Sequence, residues 1–144
     1  MANDDPPGDD AIAALNQVLS EVIDFVQEVK QAHRKIPENH QLHAQLDRLF
    51  EDLRSWARLL VEEDEQLGVS PLASMPSVAG RTPPNLWPRT ATDEEVRLAV
   101  LDHLDRLAGH VSAALAKQYD AGSQTVLAEI QQQAMGHVQA LSDP

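Results

Sequence analysis

Apolar residues recur every three or four positions in four separate segments of the sequence. This spacing places one apolar stripe along an α-helix, whereas a half-buried strand needs strict alternation. The four segments cover residues 11 to 33, 38 to 67, 93 to 120 and 124 to 141. The predicted core positions are Ile12, Leu15, Leu19, Val22, Val26, Val29, Leu42, Leu46, Leu49, Leu53, Trp56, Leu60, Val96, Val100, Leu104, Leu107, Val111, Leu115, Leu127, Ile130, Ala134, Val138 and Leu141. The sequence therefore predicts an all-α fold.

The chain length of 144 residues is that of one domain with one core. Hydrophobic residues make up 42% of the chain and aromatic residues 3%, so we expect an aliphatic core. The first ten residues contain four aspartates and no basic residue, which favours a disordered, solubilising acidic tail. We therefore predict a tail over residues 1–10 and one helical domain over residues 11–144.

Several residues mark the predicted helix ends. Pro37 suits the first turn of the second helix, and Gly68 can end that helix. Thr92 and Glu95 form a capping-box pattern at the start of the third helix. Ala121–Gly122–Ser123 is predicted to break the third helix from the fourth.

The connection between the second and third helices is long. Residues 68 to 91 hold five of the nine prolines and no sustained periodicity, so this segment is a crossover or a linker. Two helical hairpins joined in this way match a ferritin-like four-helix bundle with one long crossover. A pair of separate hairpin domains is the alternative, but each hairpin alone is close to the lower size limit for a self-sufficient core.

The charge balance restricts the partners and the compartment. Eleven basic and 23 acidic residues give a formal net charge of −12, which repels the phosphates of nucleic acids. The absence of cysteine excludes disulfides and thiolate metal sites. The acidic start does not resemble a secretory signal, and no apolar run reaches the roughly 18 residues of a membrane span. We expect a soluble cytoplasmic protein without a membrane or nucleic-acid partner.

A histidine-rich turn between the first two helices is the strongest candidate for chemistry. His43 and Asp47 are four residues apart and leave one face of the second helix together. His33, at the end of the first helix, can approach them if the two helices pack antiparallel. Imidazole and carboxylate ligands suit iron, zinc or manganese, although a solvated surface pair is the alternative. His40 is expected to be an exposed turn residue.

The sequence resembles the Dps family of ferritin-like mini-ferritins from Leu15 to Leu141. The stretch LNQVLSEVIDFVQEVKQAH is similar to the first helix of the family, and HxxxD at His43 and Asp47 is similar to the second. The segment QLG at residues 66–68 resembles the end of that helix, and TPPNLWP at residues 82–88 resembles the stretch before the third helix.

This resemblance implies a hollow homo-oligomeric shell of twelve subunits that stores iron and protects against iron and peroxide stress. It also implies that iron is oxidised by peroxide or oxygen at ferroxidase sites shared between two subunits. By position, His33, His43 and Asp47 would bind iron from one chain, and Glu62 would bind it from the neighbouring chain. The remaining acidic ligand of the family corresponds to Arg58 in this sequence.

Three departures from the family pattern affect the implied site. Arg58 brings a permanent positive charge, and like charges at about 4 Å cost on the order of 4 kcal/mol at an effective dielectric near 20. His33 and His43 are ten residues apart rather than the family's usual twelve, so the turn is shorter and the sequence leaves open whether His33 reaches the site. Arg34 stands where the family has a tryptophan.

Two other functions are compatible with these residues. One is a structural Dps-like shell without ferroxidase activity, in which Arg58 replaces the metal. The other is a generic helical-bundle interaction module.

The remaining histidines and tryptophans have simpler interpretations. His103 and His110 are expected to be exposed or interface residues, and His137 is isolated in the sequence. Trp56 is predicted to lie in the core and Trp87 to anchor the crossover.

Overall fold

The computed structural model describes residues 9–69 and 90–143. Over these residues the chain forms four α-helices, α1 (Asp9–Lys35), α2 (Gln41–Gln66), α3 (Asp93–Leu115) and α4 (Ala121–Ser142), and no strand. The predicted all-α fold is confirmed. Trp87, most of the predicted crossover and residues 1–8 of the predicted tail lie outside the described residues.

The two helices of each hairpin run antiparallel, whereas α2 and α3, which the long connection joins, run parallel. Glu28 of α1 lies beside His103 of α3 and Glu21 lies beside His110, so α1 and α3 run in opposite directions. The contacts of Asp52 with His137 and of Trp56 with Gln133 show the same relation between α2 and α4. Because the turn after α1 is short, α2 also runs antiparallel to α1 and therefore parallel to α3. This arrangement explains why a long crossover is needed between α2 and α3.

One aliphatic core joins the inner faces of all four helices. The residues whose side chains form it are Leu15, Val18, Leu19, Val22, Phe25, Val29, Ala32, Ile36, Leu42, Leu46, Leu49, Leu53, Trp56, Leu60, Val96, Val100, Leu104, Leu107, Ala108, Val111, Leu127, Ile130, Ala134 and Leu141. Each fully buried Leu or Val contributes roughly 1.5–3 kcal/mol relative to an exposed one. None of the helices in the described ranges is long and apolar enough to cross a membrane.

Four predicted core positions are only partly buried: Ile12, Val26, Leu115 and Val138. In α1 the inner position that follows Val22 is taken by Phe25, which is fully buried. Steps of three and four residues allow either Phe25 or Val26 at this point, and the inward position of Phe25 buries the larger apolar surface. The indole of Trp56 is buried as predicted, and its Nε1 donates a hydrogen bond of 2.6 Å to Gln133 Oε1.

The predicted cap at the start of α3 is confirmed, but the other helix starts differ from the prediction. Pro37 does not lie in the first turn of α2, because α2 begins at Gln41 with His40 as its N-cap. Thr92 is the N-cap of α3, and its hydroxyl accepts a hydrogen bond from the backbone N–H of Glu95. The predicted break at residues 121–123 is wrong, because α4 already begins at Ala121. Asp120 is the N-cap of α4, and its side chain accepts a hydrogen bond of 3.1 Å from the backbone N–H of Ser123. The non-helical connection between α3 and α4 therefore lies between Leu115 and Ala121. In α1, Asp9 and Asp10 form a first turn two residues before the predicted start, where carboxylates are favoured by the helix dipole.

One carboxyl group lies within the apolar face of α2. Asp64 is fully buried, and neither of its carboxyl oxygens has a hydrogen-bond partner. Burial, and secondarily the charge of Glu63, raises the pKa of Asp64 from 3.8 to about 6. The pKa of Glu63 is raised as well, first by burial and then by the charge of Asp120. The end of α2 therefore carries carboxylates that are costly to ionise in the folded state.

We predict that Asp64→Asn stabilises the protein at neutral pH. Below about pH 3.8 Asp64 is protonated in both the folded and the unfolded state. Between about pH 3.8 and 6 it ionises in the unfolded chain but stays protonated in the folded protein. The free energy of unfolding therefore falls as the pH rises through this range. The amide removes that cost, and we expect a gain on the order of 1–3 kcal/mol above pH 6 that shrinks as pH falls to 4. Urea unfolding at a series of pH values measures the difference between the variant and the natural protein. Asp105→Asn, at an exposed position of α3, is the control, and an equal gain there would contradict the assignment to burial.

Candidate metal centre at the turn between α1 and α2

Three potential ligands meet where α1 ends and α2 begins. His33 lies in the last turn of α1, and His43 and Asp47 lie in the first two turns of α2. One nitrogen from each histidine and one oxygen from the aspartate all lie within 4.8 Å of one another. Among residues 9–69 and 90–143, no other three histidine, aspartate or glutamate side chains converge closely enough to hold one ion.

The shorter spacing between the two histidines does not displace His33. Its Nε2 lies 2.6 Å from Asp47 Oδ1, and its ring centroid lies 3.8 Å from that of His43. His43 Nε2 lies 4.0 Å from Asp47 Oδ2. The ten-residue spacing left the direction of His33 open, and the five-residue turn after α1 brings both rings beside the same carboxylate.

The hydrogen bond of His43 fixes which of its nitrogens can bind a metal. Its Nδ1 lies 3.0 Å from the backbone carbonyl oxygen of Ile36. A carbonyl oxygen can only accept, so Nδ1 carries the proton and Nε2 keeps its lone pair on the side of Asp47. Backbone carbonyls commonly hold metal-binding histidines in this way. His43 is therefore oriented as a ligand by the turn itself.

His40 has the opposite arrangement, although it lies in the same turn. It is the N-cap of α2, and its Nδ1 accepts a hydrogen bond of 3.0 Å from the backbone N–H of Leu42. The proton of the neutral ring is thus on Nε2, which lies 3.7 Å from Asp93 Oδ2. Its Nδ1 lone pair is therefore used by the cap and its Nε2 carries the proton. His40 is an exposed capping residue, which agrees with its predicted place in the turn.

His33 supplies an observation that bears directly on metal binding. Its Nε2 is shut off from water and has no hydrogen-bond partner, although Asp47 Oδ1 is only 2.6 Å away. The two atoms are close without the alignment of a hydrogen bond. The nitrogen is in ion-pair contact with the carboxylate, and a divalent ion bound between them would take the place of that contact. The donor set of two imidazoles and one carboxylate therefore fits a divalent transition metal.

The site is open on one side. The exposed fractions of the side chains are 17% for His43, 32% for His33 and 60% for Asp47. Two ligands of one ion with bonds of about 2.1 Å are at most about 4.2 Å apart, so a small inward movement completes the set. The exposed side leaves coordination positions for water, a substrate or a further ligand.

Glu62 does not join these residues within one chain. It lies 15 positions after Asp47 on the same helix, which corresponds to roughly 22 Å along the axis. Arg58 lies about 16 Å from Asp47 by the same measure, and both residues are exposed. Any contribution of Glu62 or Arg58 to this centre requires a second copy of the chain.

The other histidines form interhelical pairs that the sequence did not show. His103 Nδ1 lies 2.5 Å from Glu28 Oε2 and its ring stacks on Phe25. His137, isolated in the sequence, lies 2.5 Å from Asp52 Oδ2. These partners are 75 and 85 residues away along the chain, so only the bundle brings them together.

The interior of the bundle does not offer a second metal site in the part of the chain that the structure describes. Di-iron proteins of ferritin-like fold carry inward glutamates and Glu-x-x-His motifs on their helices. Among residues 9–69 and 90–143, the buried polar side chains are Asp64 and Ser123. The candidate metal centre is therefore the surface group His33, His43 and Asp47.

Comparison with known proteins assigns the fold. No protein-family model matches the sequence, and no curated protein matches it in sequence. The fold is similar to the structure of a two-domain protein containing DJ-1/ThiJ/PfpI-like and ferritin-like domains from Anabaena variabilis, with a TM-score of 0.82 and 16% identity. The match covers 96% of this chain and 39% of that protein. The chain is thus a four-helix bundle of the ferritin-like fold.

The hydrogen bonds predict opposite tautomers for two neighbouring histidines. At a pH where both rings are neutral, we expect the proton of His43 on Nδ1 and that of His40 on Nε2. Long-range ¹H–¹⁵N correlation spectra distinguish protonated from unprotonated ring nitrogens. Spectra of His43→Ala and His40→Asn assign the signals, and the same tautomer in both rings would contradict the proposed ligand geometry.

Proposed function

We propose that this chain is a Dps-like iron-binding protein whose subunits assemble into a shell. Ferrous iron is the substrate, and His33, His43 and Asp47 bind it from one subunit. Glu62 of a neighbouring copy contributes a further carboxylate at the open side of the site. The proposal includes iron storage and protection against iron and peroxide stress, with twelve subunits as the expected assembly.

The observation that carries this proposal is the convergence of His33, His43 and Asp47 on one point. Their ligand atoms lie within 4.8 Å of one another although the histidine spacing differs from the family pattern. The ferritin-like fold supports an iron-related role of the same kind. The formal charge of −12 adds a negative field that attracts cations toward the protein.

The charges of the ligands determine how well the site can support oxidation. Ferrous iron gives up one electron to peroxide or oxygen, and the ferric product carries one more positive charge. Asp47 and a partner's carboxylate stabilise that product, whereas a guanidinium from Arg58 opposes it. In this proposal Arg58 slows the oxidation step more than it weakens ferrous binding, because the ferric ion has the larger charge.

A structural shell without ferroxidase activity is the second candidate. Arg58 is exposed on the same helix as Glu62, four residues before it, so a neighbouring copy that contributes one of them also contributes the other. In this candidate the guanidinium occupies the place of the metal and pairs with Asp47 across the interface.

Ferrous oxidation by the purified full chain tests both candidates. We expect oxidation above the buffer rate with peroxide, and an increase of at least about tenfold in Arg58→Asp, since like charges at close range cost on the order of 4 kcal/mol. The rate is followed by the near-ultraviolet absorbance of ferric iron. Arg54→Asp makes the same charge change at another exposed position of α2 and is the matched control.

The outcomes separate the candidates. Oxidation by the natural protein supports the iron-binding shell, and oxidation by Arg58→Asp alone supports the structural shell. Sedimentation measures the assembly in the same samples. A monomeric chain without oxidation in either form would refute both candidates and leave a helical-bundle interaction module.

A further inference from the structure

We propose that a cleft between the start of α1 and the end of α3 binds an amino acid with an apolar side chain. Two joined cavities form this cleft, an outer one of about 810 Å³ and an inner one of about 230 Å³. Ala14, Gln17, Lys117 and Tyr119 line both cavities, so one ligand can occupy both. The cleft shares no residue with the candidate metal centre, so this inference does not depend on the proposed function.

The outer cavity carries two opposite charges that suit the two charged groups of an amino acid. It is lined by Asp10, in the first turn of α1, and by Lys117, two residues after the end of α3. Neither side chain has an ion-pair partner among residues 9–69 and 90–143. Asp120 also lines this cavity, but both of its carboxyl oxygens accept hydrogen bonds from Ser123. A ligand ammonium can therefore bind Asp10, and a ligand carboxylate can bind Lys117.

The inner cavity is mostly apolar and suits the side chain of the ligand. Its apolar lining residues are Ala14 and Val18 of α1 and Ala113 and Ala114 of α3, and Tyr119 adds aromatic surface. Alanine side chains leave open the space that larger residues would fill. Apolar surface that a ligand removes from water there contributes roughly 25 cal/mol per Å². Pockets for small molecules usually combine such an apolar lining with a few polar groups.

The polar residues of the cleft are held by the surrounding structure. His110 lines the inner cavity, and its Nδ1 lies 2.6 Å from Glu21 Oε1 of α1. Gln124 of α4 fixes the turn after α3, because its Oε1 accepts a hydrogen bond of 3.1 Å from the Tyr119 backbone N–H. Gln118 has a φ of 58°, a left-handed conformation that residues other than glycine rarely adopt. The cleft is therefore formed before a ligand binds, which lowers the cost of binding.

The charges favour a zwitterion over an anion or a cation. The formal charge of −12 repels an anion at long range, and Lys117 repels a cation within the outer cavity. An amino acid has no net charge, yet its ammonium and carboxylate each find an opposite charge in the cleft. We therefore expect all three parts of the ligand, the two charged groups and the side chain, to contribute to affinity.

Titration calorimetry of the full chain with L-phenylalanine is the first test. Three analogues each lack one part: 3-phenylpropionate has no ammonium, phenethylamine has no carboxylate, and glycine has no side chain. We expect each analogue to bind at least about fivefold more weakly, because it loses a charge-assisted hydrogen bond or the apolar contact. The proposal is overturned if L-phenylalanine shows no saturable binding or if any analogue binds as tightly.

A cavity-filling variant assigns the binding to the cleft. Ala14→Leu places a larger side chain where the two cavities meet and keeps a good helix former in α1. We expect it to weaken L-phenylalanine binding at least about tenfold. Ala140→Leu makes the same change at an exposed position near the end of α4 and is the matched control. Unchanged affinity in Ala14→Leu, or an equal loss in Ala140→Leu, would contradict the location.

Two charge variants test the orientation of the ligand. We expect Lys117→Gln to weaken L-phenylalanine binding at least about fivefold without weakening phenethylamine, which has no carboxylate. Asp10→Asn is expected to weaken L-phenylalanine to a similar extent without weakening 3-phenylpropionate. Lys30→Gln and Asp105→Asn remove the same charges at exposed positions outside the cleft and are the controls. Circular dichroism checks that the helices of each variant remain intact, and equal losses in variants and controls would refute the assignment of the charges.

Discussion

The burial of one aliphatic stripe from each helix is the constraint on which the rest of the structure depends. Leu15 and Val22 of α1, Leu46 and Leu53 of α2 and their counterparts on the other helices cannot leave water unless all four helices pack together. This packing fixes the antiparallel order of α1 and α2. That order turns the last residues of α1 toward the first residues of α2 and so assembles the metal centre at one end of the bundle.

The metal centre lies at the rim of the core rather than inside it. The interior positions of the described helices are apolar, apart from Asp64 and Ser123 near the opposite end of the bundle. His43 is connected to the rim through the carbonyl of Ile36, whose own side chain is buried. A rigid core therefore holds one ligand directly, while Asp47 remains accessible to solvent and to a neighbouring molecule.

Much of the fold and part of the site follow from the sequence. The stripe of α2 was predicted residue by residue, because leucines at steps of three and four leave one choice of inner face. His43 and Asp47 were predicted together, because their spacing on one helix fixes their common direction. The direction of His33 stayed open in the sequence, since sequence spacing does not give the path of a five-residue turn. The start of α4 was also missed, because the capping strength of Asp120 was outweighed by Gly122 in the sequence pattern.

The sequence by itself determined the helices, their inner faces and the types of ligand available, because these depend on local periodicity and side-chain chemistry. Tertiary structure decided which ligands meet and in which state. It brought His33 to Asp47, paired His103 with Glu28 and His137 with Asp52, and gave His40 and His43 opposite tautomers. Those outcomes depend on distances between separate segments and on single hydrogen bonds, which no pattern along the chain specifies.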